Sequence, residues 1–324
     1  MLVTWLVTGG AGYIGSHVVR ELGASGIPVV VFDDFSTGVR RFVPEGVPLV
    51  EGSLLDTKLI DDAFADHGIR GVIHIAGFKF AGISVDKPLH AYEQNVTAMM
   101  SLLGSMERSE VNNMVFSSSS SVYGNAASGL VTEDHPFHPT SPYGESKAIG
   151  EWLLRNQGVA QGLTHTSLRY FNVVGSAGAS LPDVSPYNLL SMVFAGLEEG
   201  RSPMVFGDDY DTPDGTCIRD YIHVADLAAA HVAAAQRMDA LRPIESAYNL
   251  GSGTGTSVAE MMSAIAEVTG SPFTPERGPR RAGDPARVVA SGERAARDLG
   301  WKMTHSLPDM IRSAWEARAS IPTP

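Results

Sequence analysis

The chain of 324 residues holds a single cysteine, Cys217. No internal disulfide can form, and one thiol argues against a cysteine-based zinc site. A reducing cytoplasm is the expected setting. Cations are also scarce: Lys and Arg number 24 against 36 Asp and Glu, a net charge of −12. Nucleic acids and anionic membrane surfaces are held by clustered cations, so neither partner is expected. Aromatics make up 8% and are not interleaved with basic clusters, which removes a stacking platform for single strands. No apolar run approaches the ~20 residues of a membrane helix. The opening MLVTWLVTGG lacks a basic segment and breaks at glycine, so it reads as a buried strand rather than a leader. The ten histidines form no H-x-x-x-H pair, and no metal is expected. His74 and His223 lie in apolar, strand-like segments and read as core residues.

What is present is apolar alternation. Hydrophobic residues make up 44%, enough for an ample core. Strands are expected at Val3–Thr8, Pro28–Asp33, Pro48–Glu51, Gly71–Ile75, Asn113–Ser118 and Thr164–Tyr170. Helices are expected between them at Tyr13–Ala24, Lys58–His67, Pro88–Glu107 and Pro142–Asn156. Apolar strands alternating with helices imply an α/β fold: a Rossmann-type, doubly wound parallel sheet covered on both faces. Beyond about Val174 the alternation weakens and proline, glycine and acid increase, as in GDDYDTPDGT. It returns at a helix over Asp226–Gln236 and a strand over Ser246–Leu250. The expected organisation is a nucleotide-binding domain over residues 1–174, with roughly 220–250 crossing back to it. A smaller mixed α/β C-terminal substrate lobe is expected over roughly 175–219 and 251–324.

TGGAGYIG joins the first strand to the first helix. Gly9, Gly12 and Gly15 let the backbone turn tightly and approach a pyrophosphate at the helix N-terminus, where free N–H groups and the dipole favour anions. The second strand ends in Asp33, eighteen positions after Gly15. A carboxylate there accepts from a ribose 2′-hydroxyl and repels a 2′-phosphate, so NAD is expected rather than NADP. Asp34 is adjacent and open to the same role.

SPYGESK places Tyr143 and Lys147 four residues apart, on one face of a helix that Pro142 can open. Upstream, MVFSSSSSVYG ends a strand in five serines, and in such a sheet ligands gather beyond the carboxyl ends of strands. A free phenol titrates near pH 10 and is a poor base at neutral pH. A nearby lysine cation, with the positive nicotinamide of NAD⁺, is expected to favour the phenolate, which could then take a proton from a substrate hydroxyl while a serine relays it.

TGGAGYIGSH, the serine run before VYG, and SPYGESK together resemble the extended short-chain dehydrogenase/reductase family. DGTCIRDYIHVADL and RRAGDPA narrow the resemblance to its UDP-galactose 4-epimerase branch, and HIAGFKFAGISVDKP and LRYFNVVG extend it along nearly the whole chain. The resemblance implies that Tyr143 is the catalytic acid–base, that Lys147 holds the nicotinamide ribose and tunes Tyr143, and that Ser119 shares the proton transfer. It implies that Gly9, Gly12, Tyr13, Ile14, Gly15, Asp33, Lys79 and Asn95 lie on NAD with Tyr143 and Lys147. It places Ser119, Asn172, Asn188, Leu189, Phe206, Arg219, Arg281, Asp284 and Val288 around a UDP-sugar. The implied reaction interconverts UDP-galactose and UDP-glucose through a transient 4-keto sugar with no net redox. The residues agree about an anionic ligand: Arg277–Arg287 carries four arginines and one acid, and arginine suits multidentate phosphate contacts.

Two positions depart from the family pattern. Ser53 stands where an aspartate usually holds the adenine amino group. Val288 occupies a sugar-pocket position where a bulky tyrosine can exclude N-acetylated sugars, so some activity on UDP-N-acetylglucosamine is expected. Three alternatives share parts of this pattern. A 4,6-dehydratase needs an added acid and base where Ser120 and Ser121 stand, and hydroxyls cannot do that work. A 4-epimerase of another UDP-sugar (N-acetylhexosamine, uronate or pentose) keeps every motif. A non-catalytic NAD sensor has no need of Tyr143, Lys147 and Ser119 together. A C2 homodimer is expected from the family, with Met99, Met100, Leu102, Leu103 and Met106 on one helix and Ile149, Trp152, Leu153 and Leu154 on the next supplying apolar surface.

Overall fold

The computed structural model describes residues 3–125, 129–281 and 284–321, so Ala282 and Gly283 of RRAGDPA lie outside the described residues. Alternation in the first half becomes β1 (Thr4–Thr8), α1 (Tyr13–Ala24), β2 (Val29–Asp33), β3 (Leu49–Glu51), α2 (Thr57–His67) and β4 (Ile69–His74). It continues through α3 (Ala81–Asp86), α4 (Pro88–Tyr92), α5 (Ala98–Arg108), β5 (Asn113–Ser117), a short β6 (Leu130–Val131), α6 (Pro142–Gln161) and β7 (Thr164–Tyr170). Next come β8 (Asn172–Val174), α7 (Leu189–Glu198), β9 (Met204–Phe206), β10 (Ile218–Arg219), β11 (Tyr221–His223), α8 (Val224–Asp239) and β12 (Ala247–Leu250). The chain closes with β13 (Thr256–Ser257), α9 (Val258–Thr269), β14 (Glu276–Gly278), β15 (Arg287–Ala290), α10 (Glu293–Leu299) and α11 (Leu307–Arg318).

Seven strands form one sheet in the order β12-β7-β5-β4-β1-β2-β3. Every pairing in it is parallel. The order reverses between β1 and β4, the switch point where this architecture binds ligands. Period-two alternation splits the core. Trp5 and Val7 face one side with Val18, Leu22, Leu227 and Tyr248. Leu6, Val30 and Phe32 face the other with Ile60, Met99, Leu102 and Leu154. The later chain adds a four-stranded sheet, β13-β10-β15-β6, and the pairs β11-β8 and β14-β9. Among the described residues no helix is long and apolar enough to cross a membrane.

Three expectations change. The helix over Pro88–Glu107 is interrupted by a π-helical turn at Glu93–Thr97. α6 runs to Gln161 rather than Asn156 and stops only where Gly162 takes φ +72°. Most of the apolar surface assigned to a dimer is internal: Met99, Leu102, Leu103, Met106 and Leu154 are buried in the core of this chain. Met100 and Trp152 remain exposed.

Four histidines are buried at tie points. His74 Nδ1 meets the Thr8 hydroxyl at 2.8 Å, joining β4 to β1. His231 Nε2 meets the Ser117 hydroxyl at 2.7 Å, joining α8 to β5. His17 Nε2 accepts from Ala177 N at 3.0 Å, so its Nδ1 carries the proton and donates to the Tyr13 carbonyl. His223 caps α8 by accepting from Ala225 N and stacks on His305 with centroids 3.9 Å apart. Burial pushes His74 down to about 3 and His17, His223 and His231 down to about 4. Between pH 6.5 and those values the unfolded chain binds protons that the folded chain refuses, so stability falls with pH, by up to ~1.4 kcal/mol per unit for each histidine. We expect the urea midpoint to drop steeply between pH 7 and pH 5; a flat midpoint would show that these imidazoles are not held neutral.

Candidate active site

The glycine loop is shaped by backbone approach. Gly9 has φ +71°, and a Cβ there would lie 2.8 Å from Ala76 N. A Cβ on Gly15 would lie 2.0 Å from the Gly9 carbonyl. Gly12 caps α1 with no side chain in the way, leaving the first-turn amides of a twelve-residue helix facing the loop. Asp33 reaches this loop from β2: Oδ2 accepts from Ala11 N at 2.9 Å and Oδ1 from Phe35 N at 2.9 Å. Burial raises its pKa, and the two amides oppose that. A carboxylate has about four acceptor sites, so capacity remains for a hydroxyl. Asp34 points elsewhere; it is exposed and accepts from Ser36 N. Ser53, after β3, accepts from Leu55 N at 3.2 Å.

Some residues expected on NAD have other partners here. Tyr13 donates its hydroxyl to the Gly175 carbonyl, beyond β8. Ile14 packs against the α1 side of the core. Asn95 sits in the π-helical turn and is buried. Its Oδ1 accepts from Phe78 N at 2.6 Å, and its Nδ2 donates to the Phe78 carbonyl at 2.9 Å and to the Ser146 hydroxyl at 2.8 Å. Ser146 in turn donates to the Tyr143 carbonyl at 2.7 Å. Asn95 therefore ties the loop bearing Lys79 to the first turn of α6. Lys79 is exposed, its ammonium 5.6 Å from the Phe80 ring.

Tyr143, Lys147 and Ser119 come together where α6 meets the end of β5. Ser141 caps α6 by accepting from Gly144 N, and Pro142 opens it. A Cβ on Gly144 would lie 2.6 Å from the Ser121 carbonyl, so glycine lets the helix seat against the serine turn. Ser119 Oγ accepts from Ser121 N at 3.1 Å. Lys147 is 6% exposed; its ammonium donates to the Ser117 carbonyl at 2.9 Å and lies 5.9 Å from the Tyr143 ring centre. Burial pushes Lys147 down to about 8, against the pull of Glu151. The depression expected of the phenol rests on the lysine and the nicotinamide charge together. Burial raises Tyr143, and the neighbouring Ser119 hydroxyl only partly offsets it. In the chain alone, desolvation is the larger of these two influences.

The sugar-side residues lie on several elements of the later chain. Arg219 on β10 donates to the Ile218 and Pro285 carbonyls and lies 3.4 Å from Asp284, with Val288 opposite it in β15. Arg281 lies over the Phe206 ring at 4.1 Å, presenting a cation on an aromatic face. Asn172 donates to the Asp220 carbonyl at 2.8 Å. Asn188 caps α7, donates to Asp183, and is followed by Leu189.

A glycine cradle, an acid at the end of β2, and a tyrosine–lysine–serine group share the carboxyl edge of one parallel sheet. A family profile described as "NAD dependent epimerase/dehydratase family" matches residues 5–251. The chain belongs to this family. It is 44% identical to a UDP-glucose 4-epimerase of Azospirillum brasilense over 321 residues, 96% of this chain and 91% of that protein. A solved UDP-glucose 4-epimerase superposes with a TM-score of 0.94 at 40% identity, covering 98% of each chain. The Brucella ovis UDP-glucose 4-epimerase, solved in complex with NAD, gives 0.93 at 37% identity over 97% of each.

For a member of the epimerase/dehydratase family, two residues escaped the sequence reading. Asp220, 1% exposed, accepts from Ser252 N and Ala290 N, while its own carbonyl receives Asn172. It ties β8, β15 and the turn after β12 into one frame beside Arg219. Glu151 accepts from Ser118 and Arg169 beneath the serine turn. Glu151 is a lone acid in the apolar run AIGEWLL, which is the signal that could have found it, whereas Asp220 directly follows Arg219 and carries no such signal. We expect Gly15→Ala to force the Gly9 carbonyl away, destabilise the chain by about 1–3 kcal/mol and weaken NAD binding at least about tenfold. Thermal melting and an NAD titration check this, and an unchanged affinity would show that the loop does not cradle the cofactor.

Proposed function

We propose that the chain is an NAD-dependent UDP-glucose 4-epimerase, interconverting UDP-galactose and UDP-glucose through a transient 4-keto sugar with no net redox. The observation that carries this reading is the convergence of Tyr143, Lys147 and Ser119 at the end of β5, on the same sheet edge as the glycine cradle. NAD, when bound, supplies a hydride acceptor that returns what it takes. In this reading Gly9, Gly12 and Gly15 leave backbone room for its pyrophosphate at the α1 N-terminus, and Asp33 accepts from its ribose. Lys147 has one donor committed to the Ser117 carbonyl, and an ammonium has three. The others serve a ribose hydroxyl and hold positive charge near Tyr143. Tyr143 exchanges a proton with the sugar 4-hydroxyl, and Ser119 relays it. Because burial holds the phenol protonated, cationic charge at the site must lower it before it acts as a base. Arg219 and Arg281 suit the substrate pyrophosphate, Phe206 offers a planar face to the uracil, and Asn172, Asn188, Leu189 and Asp284 complete the surround.

We further propose that residues 1–174 with roughly 220–250 hold NAD while roughly 175–219 and 251–324 hold the UDP-sugar. The proposal keeps a homodimer, with Leu89, Met100 and Trp152 as its exposed apolar surface. A reducing cytoplasm suits the buried Cys217. One observation favours a second sugar: Val288, paired with Arg219, is smaller than tyrosine, which leaves room for an N-acetyl group.

Purified protein should convert UDP-galactose to a mixture with UDP-glucose, resolved by anion exchange, without stoichiometric NADH. Tyr143→Phe should lower turnover by about 10²–10⁴-fold while bound NAD and thermal stability stay unchanged. Loss of NAD with the activity would count instead for a sensor-like binding role. Val288→Tyr should lower the rate on UDP-N-acetylgalactosamine relative to UDP-galactose, and an unchanged ratio removes the second reading.

A further inference from the structure

Helix α6 carries a third ionisable residue on the face of Tyr143 and Lys147. Glu151 follows Lys147 by four positions and continues the same stripe. It is 7% exposed. Its Oε1 accepts from the Ser118 hydroxyl at 2.6 Å and from Arg169 Nε at 2.9 Å, and its Oε2 accepts from Arg169 Nη2 at 2.6 Å. Arg169, on β7 and 6% exposed, also donates to the Tyr123 hydroxyl at 2.7 Å and the Glu133 carbonyl at 3.1 Å. Tyr123 in turn donates its hydroxyl to Asn249 Oδ1 on β12 at 2.7 Å. The pair thus links α6, the end of β5, β7 and β12.

Ser118 is the residue between the two groups that matter. Ser117 gives its carbonyl to Lys147, and Ser119 sets its hydroxyl beside Tyr143. A buried ion pair is often no more stabilising than apolar residues of the same volume. Its value here lies in where it sits. We propose that Glu151, clamped by Arg169, is a positioning residue for the proton-transfer site: through Ser118 it fixes the strand end that presents Ser117 and Ser119, and it sets an anion one helical turn from the Lys147 ammonium. The inference rests on reading Tyr143, Lys147 and Ser119 as that site.

The groups around Lys147 on each packed element are these. Tyr143 and Glu151 share its helix. Phe116 of β5 lies with its ring centre 4.8 Å from the ammonium. His74 of β4 is held neutral by burial and, in part, by the charge on Lys147. Tyr170 of β7 is half-buried and protonated, next to Ser117 and Tyr143. His231 of α8, against Ser117, is also held neutral. Of these, Glu151 alone is anionic at neutral pH, and it opposes the burial that pushes Lys147 down. Arg169 partly cancels it.

Only five lysines occur in the chain (Lys58, Lys79, Lys87, Lys147 and Lys302), so the ¹³Cε signals of lysine-labelled protein can be followed individually through a pH titration. Lys147→Arg identifies the Lys147 signal by its disappearance. Glu151→Gln should move the Lys147 midpoint down by about one unit or more, and Arg169→Gln, which frees Glu151 from its counter-ion, should move it up. General loosening of the fold cannot give this pair of results, because it would move both midpoints up toward an exposed lysine. The alkaline limb of kcat on UDP-galactose should follow each variant's midpoint. Where a single variant does not fold, Glu151→Gln with Arg169→Gln leaves a neutral pair, and the midpoint should still fall because the nearer charge is lost. A midpoint unmoved or raised when Glu151 is replaced overturns the proposal. A wild-type chain that leaves UDP-galactose unconverted counts against the function reading; an unmoved midpoint in an active enzyme counts against Glu151 alone.

Discussion

An ammonium buried to 6% exposure must find acceptors, and Lys147 finds the Ser117 carbonyl at 2.9 Å. That carbonyl is the last of β5, so the bond joins the helix that carries the tyrosine to the strand that carries the serine. Everything near it serves the same register. Gly144 lets α6 close on the Ser121 carbonyl, Asn95 reaches Ser146 from the π-helical turn, and Ser84 Oγ accepts from Tyr143 N at 3.1 Å. A shift of α6 by one residue would swing Tyr143 about 100° around the helix and leave the ammonium unpaired in the core, which is costly. The buried cation therefore makes a single register of α6 the stable one.

The later chain joins this frame through the apolar packing of α8 and β12 on the α1 side of the sheet, and polar ties fix its orientation. Tyr13, in the glycine loop, binds the Gly175 carbonyl, and His17 on the next turn receives Ala177 N. Asp220 binds backbone on both sides of Arg219. Burial raises the Asp220 pKa, and the hydrogen bonds it accepts offset that. These directional contacts fix how the segment after β8 meets the α1 side of the sheet. Apolar packing alone, being non-directional, would leave that approach less well defined.

The sheet was legible because its strands are apolar runs and its helices amphipathic. Tyr13–Ala24 and Thr164–Tyr170 have the expected ends to the residue. The glycine spacing and the tyrosine–lysine pair were legible for the same reason: each is a local pattern. What was not legible depends on contacts distant in sequence. Nothing in YEQNVTAMM announces a π-helical turn, since no proline or glycine breaks the run; the turn exists where Asn95 must reach both Phe78 and Ser146. Asp33 was assigned from its place at the strand end with Asp34 open to the same role, and only the fold turns one to Ala11 N and the other to solvent. The burial that raises the Tyr143 phenol was not legible, because charge spacing is visible in a sequence and desolvation is not.

Departures from ordinary backbone sort by whether a local cause explains them. Glu110 and Leu241 take positive φ just past the ends of α5 and α8, where a left-handed residue closes a helix and glycine is the usual choice. Phe35 takes φ +55° with no helix to end. It follows Asp33 and gives its amide to that carboxylate, so the bend holds the acid facing the glycine loop. The π-helical turn at Asn95 and the buried Lys147 are likewise costly and without a local reason. All three lie on the carboxyl edge of the sheet, where they orient an acid, an amide and a cation toward one crevice. Strain of this kind persists only where surrounding packing over-determines it. Here the over-determination comes from β1, β4 and β5, which are buried on both faces and cannot yield to relieve it.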